Sequence, residues 1–244
     1  MNMQIIPAID IIDGKCVRLK EGDYDQLTAY ETSPLEMAKQ YEAHGITRLH
    51  LVDLDGAKKG EVCNWKVAEQ LAAETSLEID FGGGVKSIDS VKRIRDLGIR
   101  YITIGSMAAK NPAIFQEWID ELGAEAFLLG ADTKNKKVMV GGWLESTSID
   151  LIPYMQQYFS KGITQIFCTD ISKDGNLAGP ATKLYQEIKQ QIPSLFLIAS
   201  GGVSGMDDLL ELAAVGCDGA IVGKAIYENR ISLKELENYI IGNN

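Results

Sequence analysis

The chain has 244 residues, of which 45% are hydrophobic and 24% are charged, and its formal net charge is −10 at pH 7. These values are typical of a globular protein, and a β/α barrel has about 250 residues in one domain. The negative charge argues against nucleic acid or an anionic membrane as a partner, because both require a basic face. With no apolar run of about 18 residues and no basic signal start, we expect a cytoplasmic protein.

Short β-type runs alternate with amphipathic helical segments along the whole chain. Helix-start signals such as Ser33-Pro34 and Ser87 separate the runs. The eight apolar runs cover residues 3–10, 48–53, 77–81, 101–105, 127–132, 165–170, 195–200 and 219–223. This order predicts a single (β/α)8 TIM barrel over residues 1–244, with an open doubly wound sheet as the structural alternative.

The two halves of the chain repeat a glycine-rich pattern in register. FGGGVKS followed by YITIGSMA returns as ASGGVSG followed by GAIVGKAI. Gly83 and Gly201 are 118 residues apart, and so are Gly105 and Gly223. The repeat predicts an internal half-barrel duplication, with two similar halves of about 120 residues each.

Glycine loops at matched strand ends are candidate phosphate sites. Glycine lets a phosphate approach backbone N–H groups, and a following helix start adds positive potential. The alternative is that each pair only makes a tight turn between strand and helix. Two such pairs predict a ligand with a phosphate at each end, bound by Gly83, Gly84, Gly105 and Ser106 on one side and by Gly201, Gly202, Gly223 and Lys224 on the other.

Two aspartates end the first and fifth predicted strands, on opposite sides of an eight-stranded ring. Opposed carboxylates suit general acid-base chemistry, in which one removes a proton and the other donates one. We therefore predict Asp10 and Asp132 as catalytic residues, the alternative being carboxylates that are fixed by loop amides or bind a ligand hydroxyl. Thr169, at the sixth strand end, could hydrogen-bond a ring oxygen or only pack in the core.

Three connections contribute further candidates. The long segment after the first strand resembles a lid, and Arg18 would give it an anion contact on closing. An inserted hairpin after the fifth strand would deliver Trp143 to stack on a planar base. After the sixth strand, Gly175 indicates a flexible loop, and Asp170 is either a ligand contact or a loop-capping carboxylate.

The cysteines and histidines do not form a recognisable site. The four cysteines are scattered without a CxxC pair, so we predict no metal site and no disulfide framework. His44 and His50 have no nucleophile or metal pattern beside them. We predict that both histidines are structural.

Several of these segments together resemble one known family. PAIDIIDGKCVRLKEGDY, HLVDLDGAKKGE, FGGGVKS and CTDISKDGNLAGP are similar to the phosphoribosylformimino-5-aminoimidazole carboxamide ribotide isomerases of histidine biosynthesis, and the likeness covers essentially the whole chain. The resemblance implies an isomerase of the intramolecular oxidoreductase type that carries out an Amadori rearrangement. The reaction converts an aminoaldose into an aminoketose within a bisphosphorylated small molecule, without a cofactor. Separately from the resemblance, we expect a monomer.

The same resemblance implies roles for individual residues. Asp10 would be the general base that takes the proton from C2 of the opened sugar. Asp132 would be the general acid that protonates the ring oxygen, and Thr169 would assist ring opening. Trp143 would stack on the imidazole carboxamide part of the substrate.

Other functions stay open at this point. A dual-pathway isomerase would also act on phosphoribosyl anthranilate, and the related cyclase of a glutaminase complex shares a duplicated barrel with two aspartates. The PAID and VDLDGAKKG segments favour the isomerase over the cyclase. A non-catalytic phosphometabolite-binding barrel would tolerate the loss of Asp10 or Asp132, so the presence of both favours an enzyme.

Overall fold

The computed structural model of the protein describes residues 3–20 and 23–242. Within these residues the strands are β1 (Gln4–Ile12), β2 (Lys15–Lys20), β3 (Asp23–Ala29), β4 (Arg48–Asp53), β5 (Glu78–Gly82), β6 (Tyr101–Ile104), β7 (Phe127–Lys134), β8 (Lys137–Val140), β9 (Glu145–Asp150), β10 (Gln165–Asp170), β11 (Phe196–Ser200) and β12 (Gly219–Val222). Eight of them pair in parallel in the order β1, β4, β5, β6, β7, β10, β11, β12, and β12 pairs with β1. The predicted eight-stranded barrel is confirmed, whereas its origin in two repeated halves stays a prediction.

Helices cover the outside of the barrel. They are α1 (Pro34–Ala43), α2 (Leu54–Lys59), α3 (Trp65–Glu74), α4 (Ile88–Asp96), α5 (Ser106–Lys110), α6 (Pro112–Leu122), α7 (Leu151–Ser160), α8 (Thr182–Gln191), α9 (Met206–Ala214), α10 (Lys224–Tyr227) and α11 (Leu233–Gly242). As predicted, Ser33 and Ser87 precede helices: Ser33 caps α1 and forms a capping box with Glu36, and Ser87 caps α4. In the described part of the chain, no helix combines the length and the apolar character that crossing a bilayer requires.

Two hairpins extend from the barrel rim beyond the eight core strands. β1 does not stop at Asp10, because Asp10 to Ile12 pair antiparallel with Val17 to Lys15 of β2, which in turn pairs with β3. The segment predicted as a long lid-like loop is therefore a β-hairpin over its described residues. The hairpin predicted after the fifth strand is confirmed as β8 and β9, which continue from β7.

The core has two layers, one on each side of the barrel wall. A large cluster fills the space between the strands and the helices, with Leu49, Leu51 and Phe81 fully buried in it. A smaller cluster fills the barrel interior with Ile6, Ala8, Tyr101, Leu128, Phe167, Ile198 and Ile221. The interior is thus a packed floor, and the open space lies above it at the carboxyl ends of the strands.

Gly130 on β7 gives the first testable prediction. A Cβ atom at this position would lie 2.6 Å from Cζ of Phe167, which is packed in the interior cluster. We expect Gly130→Ala to destabilise the fold by about 1–3 kcal/mol through overpacking. Urea unfolding measures this change, and Gly205→Ala is the control, because nothing lies within 4 Å of its Cβ position. Equal stability of the two variants would contradict this packing.

Candidate active site

A cavity of about 480 Å³ opens at the carboxyl ends of the barrel strands. This is the end of a β/α barrel at which active sites form. The cavity brings together all but one of the site residues predicted from the sequence, namely Asp10, Arg18, Gly83, Gly84, Gly105, Ser106, Asp132, Trp143, Thr169, Gly175, Gly201, Gly202, Gly223 and Lys224. The exception is Asp170.

Asp10 lies on one side of the cavity in an ion pair with Arg18. Arg18 Nη1 donates to Asp10 Oδ2 over 2.6 Å, and both side chains are largely buried. Burial lowers the pKa of Arg18, but Asp10 and Asp174 raise it, and the net shift is upward. The guanidinium also lies against Gly223, where a Cβ would be 2.5 Å from Arg18 Nη2. Arg18 thus joins Asp10 to the glycine loop that follows β12.

Asp132 lies on the opposite side of the barrel in a different environment. Trp143 Nε1 donates to Asp132 Oδ2 over 2.8 Å, and Thr169 is the register partner of Asp132 on β10. Desolvation raises the pKa of Asp132, and the hydrogen bonds from Trp143 and Thr169 only partly oppose this rise. A carboxyl with a raised pKa keeps its proton at a higher pH and can act as a proton donor.

The first glycine pair is held by close backbone contacts. Gly83 has a φ of +101°, and a Cβ there would lie 2.1 Å from the carbonyl oxygen of Asp53. The Asp53 carboxylate in turn accepts hydrogen bonds from the backbone N–H groups of Gly56, Cys63 and Asn64. Only glycine fits at position 83, so the loop backbone forms part of the cavity wall without a side chain in front of it.

The second glycine pair repeats the geometry of Gly84, which has a φ of +78° and whose Cβ would lie 2.5 Å from the carbonyl oxygen of Glu61. In the repeat of 118 residues, Gly202 corresponds to Gly84. Gly202 has a φ of +85°, and a Cβ there would lie 2.4 Å from the carbonyl oxygen of Gly179. Gly105 and Gly223 each follow the next barrel strand in their half. Their backbone angles are nearly equal, with φ −110° and ψ −98° at Gly105 and φ −113° and ψ −89° at Gly223. The matched backbone agrees with the sequence repeat, and anion binding by these loops stays a prediction.

The charges that line the cavity differ from the charge of the whole chain. Four cationic side chains, those of Arg18, Lys86, Lys110 and Lys224, line the cavity beside three carboxyl groups, whereas the whole chain has a net charge of −10. Local cations of this kind can hold an anionic ligand that the overall field repels. Among residues 3–20 and 23–242, no three His, Cys, Asp or Glu side chains are grouped as a metal ion requires.

Two predicted ligand contacts also hold the loops of the cavity together. Ser106 Oγ accepts a hydrogen bond from the backbone N–H of Gly141, which ties the start of α5 to the loop that carries Trp143. Lys224 Nζ donates to the carbonyl oxygen of Gly175 over 2.8 Å. Both side chains therefore link neighbouring loops at the mouth of the cavity.

The structure corrects the choice of aspartate after β10. Asp170 does not line the cavity, because its Oδ1 accepts hydrogen bonds from the backbone N–H and the hydroxyl of Ser172 and so closes the turn. Asp174 lines the cavity beside Gly201 and was missed. Desolvation and the neighbouring Asp10 raise the pKa of Asp174, while Arg18 lowers it, with a net upward shift. The only sequence signal was its place in the glycine-containing segment SKDGN.

The fold and the cavity define a β/α barrel whose site combines opposed carboxylates with two matched glycine loops. Comparison with known proteins gives the family. Residues 4–232 match the family described as histidine biosynthesis protein, and the chain belongs to this family.

Individual relatives are similar over nearly their whole length. A protein of Flavobacterium johnsoniae is 56% identical over 98% of this chain and 100% of its own length. Proteins of Parabacteroides distasonis and Bacteroides thetaiotaomicron are 51% and 49% identical, over 96% and 98% of this chain and 98% and 100% of their own lengths. Each relative is named 1-(5-phosphoribosyl)-5-((5-phosphoribosylamino)methylideneamino) imidazole-4-carboxamide isomerase.

Proposed function

We propose that this chain catalyses the isomerisation for which its relatives are named, by an Amadori rearrangement that converts the aminoaldose into the aminoketose. The observation that carries the proposal is the position of Asp10 and Asp132 in one cavity, between two matched glycine loops. Full-length similarity to relatives named as this isomerase supports the choice of substrate. The rearrangement reduces C1 and oxidises C2 of the same sugar, so electrons balance within the substrate.

Binding uses the two ends of the cavity. One phosphate would contact the backbone N–H groups around Gly83 and Gly105, and the other those around Gly201 and Gly223. Trp143 would stack on the imidazole carboxamide part. With both ends fixed, the sugar that reacts lies between Asp10 and Asp132, which supplies the orientation that proximity catalysis needs.

The first chemical step opens the sugar ring. A protonated Asp132 donates its proton to the ring oxygen with the help of the Thr169 hydroxyl, and the bond from C1 to that oxygen breaks. The nitrogen lone pair forms a C=N double bond and gives a protonated Schiff base. The upward pKa shift of Asp132 supports this role, because an ordinary aspartic acid with a pKa of about 3.9 is ionised at neutral pH.

The second step moves the double bond. The Asp10 carboxylate removes the proton from C2, and the electron pair forms C1=C2 while the C=N electrons return to nitrogen. The resulting enolamine gains a proton at C1 and loses the proton of the C2 hydroxyl, which gives the ketose. Asp174 lies near Arg18 and Asp10 and has a raised pKa, so it is a second candidate proton donor.

Turnover of the purified protein tests the proposal directly. The aminoaldose is assayed beside phosphoribosyl anthranilate and beside the ketose with ammonia. We expect conversion of the aminoaldose to the ketose. Conversion of both isomerisation substrates would make the chain a dual-pathway enzyme, and consumption of only the ketose with ammonia would make it the cyclase and overturn the proposal.

Trp143 gives a prediction about pH dependence. Its hydrogen bond lowers the pKa of Asp132, so Trp143→Phe removes that effect and raises this pKa further. Because the acid is active when protonated, we expect the alkaline limb of the kcat profile to move to higher pH. KM should rise as the indole is replaced by a smaller ring. Leu144→Ala is the control on the same loop, since Leu144 is 89% exposed, and identical pH profiles for the two variants would contradict the role of the indole N–H.

A further inference from the structure

His50 lies in the barrel interior directly beneath the two opposed carboxylates. On β4 it is the register partner of Ala8, while Asp10, two residues further along β1, pairs with Val52. On the opposite wall, the pair of Phe167 and Gly130 lies two residues below the pair of Thr169 and Asp132. Since alternate residues of a strand face the same side, His50 belongs to the layer under the reacting sugar, and its side chain lines the cavity.

Asp80 fixes the orientation of the His50 ring. It is fully buried on β5, where it is the register partner of His50, and one of its oxygens, Oδ1, forms a hydrogen bond with His50 Nδ1 and accepts another from Thr103 Oγ1. The other oxygen lies 3.6 Å from Arg48 Nε. A buried carboxylate in this position requires the proton on Nδ1 and sets the tautomer of the imidazole.

The second ring nitrogen has a different environment. Among residues 3–20 and 23–242, no side chain or backbone group forms a hydrogen bond with His50 Nε2, and Nε2 is not one of the fully buried atoms. Burial lowers the pKa of His50, but Asp80 and Asp10 raise it, and the net shift is upward. A charged His50 carries an N–H group on each nitrogen, one directed to Asp80 and the other available to the cavity.

We propose that His50 is a catalytic residue of the isomerisation, in that its Nε2–H donates a hydrogen bond to an oxygen of the reacting sugar, with Asp80 as the positioning residue. This inference rests on the proposed function. The neighbours in the same layer, Ala8, Gly130 and Phe167, are apolar, so His50 is the polar group that this layer offers to the sugar hydroxyls. A fixed donor in a site with little water acts most strongly where negative charge develops on oxygen.

Turnover of three variants tests the role of each nitrogen. His50→Asn keeps an amide near the position of Nδ1 and removes the Nε2 donor, and we expect about a 10²-fold loss of kcat with KM within a few-fold of wild type. His50→Gln places a neutral donor near the Nε2 position and should recover part of this loss. Asp80→Asn keeps the ring but releases its orientation, which should lower kcat less than His50→Asn.

The control removes a hydrogen bond from the same interior without touching the imidazole. Tyr101→Phe deletes the hydroxyl that accepts from Gln165 Nε2 over 3.2 Å below the cavity, and we expect wild-type kcat. Wild-type kcat in His50→Asn would overturn the inference. A wild-type enzyme that fails to convert the aminoaldose would instead overturn the proposed function.

A measurement on the wild-type enzyme covers the case in which a variant does not fold. The chain has only two histidines, so ¹⁵N spectra of the imidazoles resolve His50 from His44. We expect the Nε2 signal of His50 to shift when the ketose product binds, with His44 unchanged as the internal reference. An unshifted His50 signal at saturating product, confirmed by calorimetry, would overturn the inference.

Discussion

Asp10→Asn is expected to lower kcat by about 10³-fold while the ketose product still binds nearly as tightly as to wild type. A positioned general base contributes roughly 10²–10⁴-fold, and an amide of the same shape cannot accept the C2 proton. The amide oxygen can still accept from Arg18 Nη1, so the wall of the cavity is kept. Turnover of the aminoaldose gives kcat, and isothermal titration with the ketose gives the affinity.

Asp10→Glu is the companion variant for this experiment. It keeps a carboxylate but moves it by one methylene, so it should recover part of the turnover that Asp10→Asn loses. Product affinity that falls in step with kcat in Asp10→Asn would identify Asp10 as a binding group. Partial recovery of activity in Asp10→Glu, with product affinity close to wild type in both variants, would support the base.

The parts of the fold that follow from local patterns were predicted from the sequence. Each barrel strand is a short apolar run, and the glycines at 84 and 202 fit positions where positive φ and close backbone contacts exclude a side chain. Asp10 and Asp132 were predicted because each ends such a run at a corresponding place in the two halves. Each signal is local, and the second half of the chain shows it again, which is why one sequence is enough to detect it.

The missed features depend on contacts that the pattern of residue types does not show. Asp170 and Asp174 are aspartates of the same loop, so residue type does not distinguish them. The structure does, because Asp170 accepts hydrogen bonds from Ser172 in a turn whereas Asp174 lines the cavity. The hydrogen bond between His50 and Asp80 was not predicted, because Asp80 is 30 residues away on the next strand. The hairpin of β2 and β3 was taken for a loop because its polar strands lack an apolar pattern.

The second large effect concerns the proton donor. Asp132→Asn is expected to lower kcat by about 10²–10⁴-fold and to remove the alkaline limb of the kcat profile, since the amide has no proton to give to the ring oxygen. Asp174→Asn is the competing variant, because Asp174 lines the same cavity and has a raised pKa for the same physical reason, desolvation. Asp170→Asn, outside the cavity, should keep both kcat and the limb.

The melting temperatures of the Asp132→Asn and Asp174→Asn variants distinguish the loss of a proton donor from damage to the fold. A carboxyl whose pKa is raised in the folded state stabilises the protein below its unfolded pKa, and this contribution is lost as the pH rises through the folded pKa. Asp132 and Asp174 therefore cost stability at neutral pH, because the folded state either keeps a proton that the unfolded chain releases or buries a charge. We expect both Asn variants to melt at a higher temperature than wild type at pH 7, with the difference shrinking in acid. A lower Tm than wild type at pH 7 in both variants would contradict the desolvation of these carboxyls, on which either assignment of the proton donor rests. In the kcat profiles, loss of the alkaline limb in Asp174→Asn but not in Asp132→Asn would identify Asp174 as the proton donor.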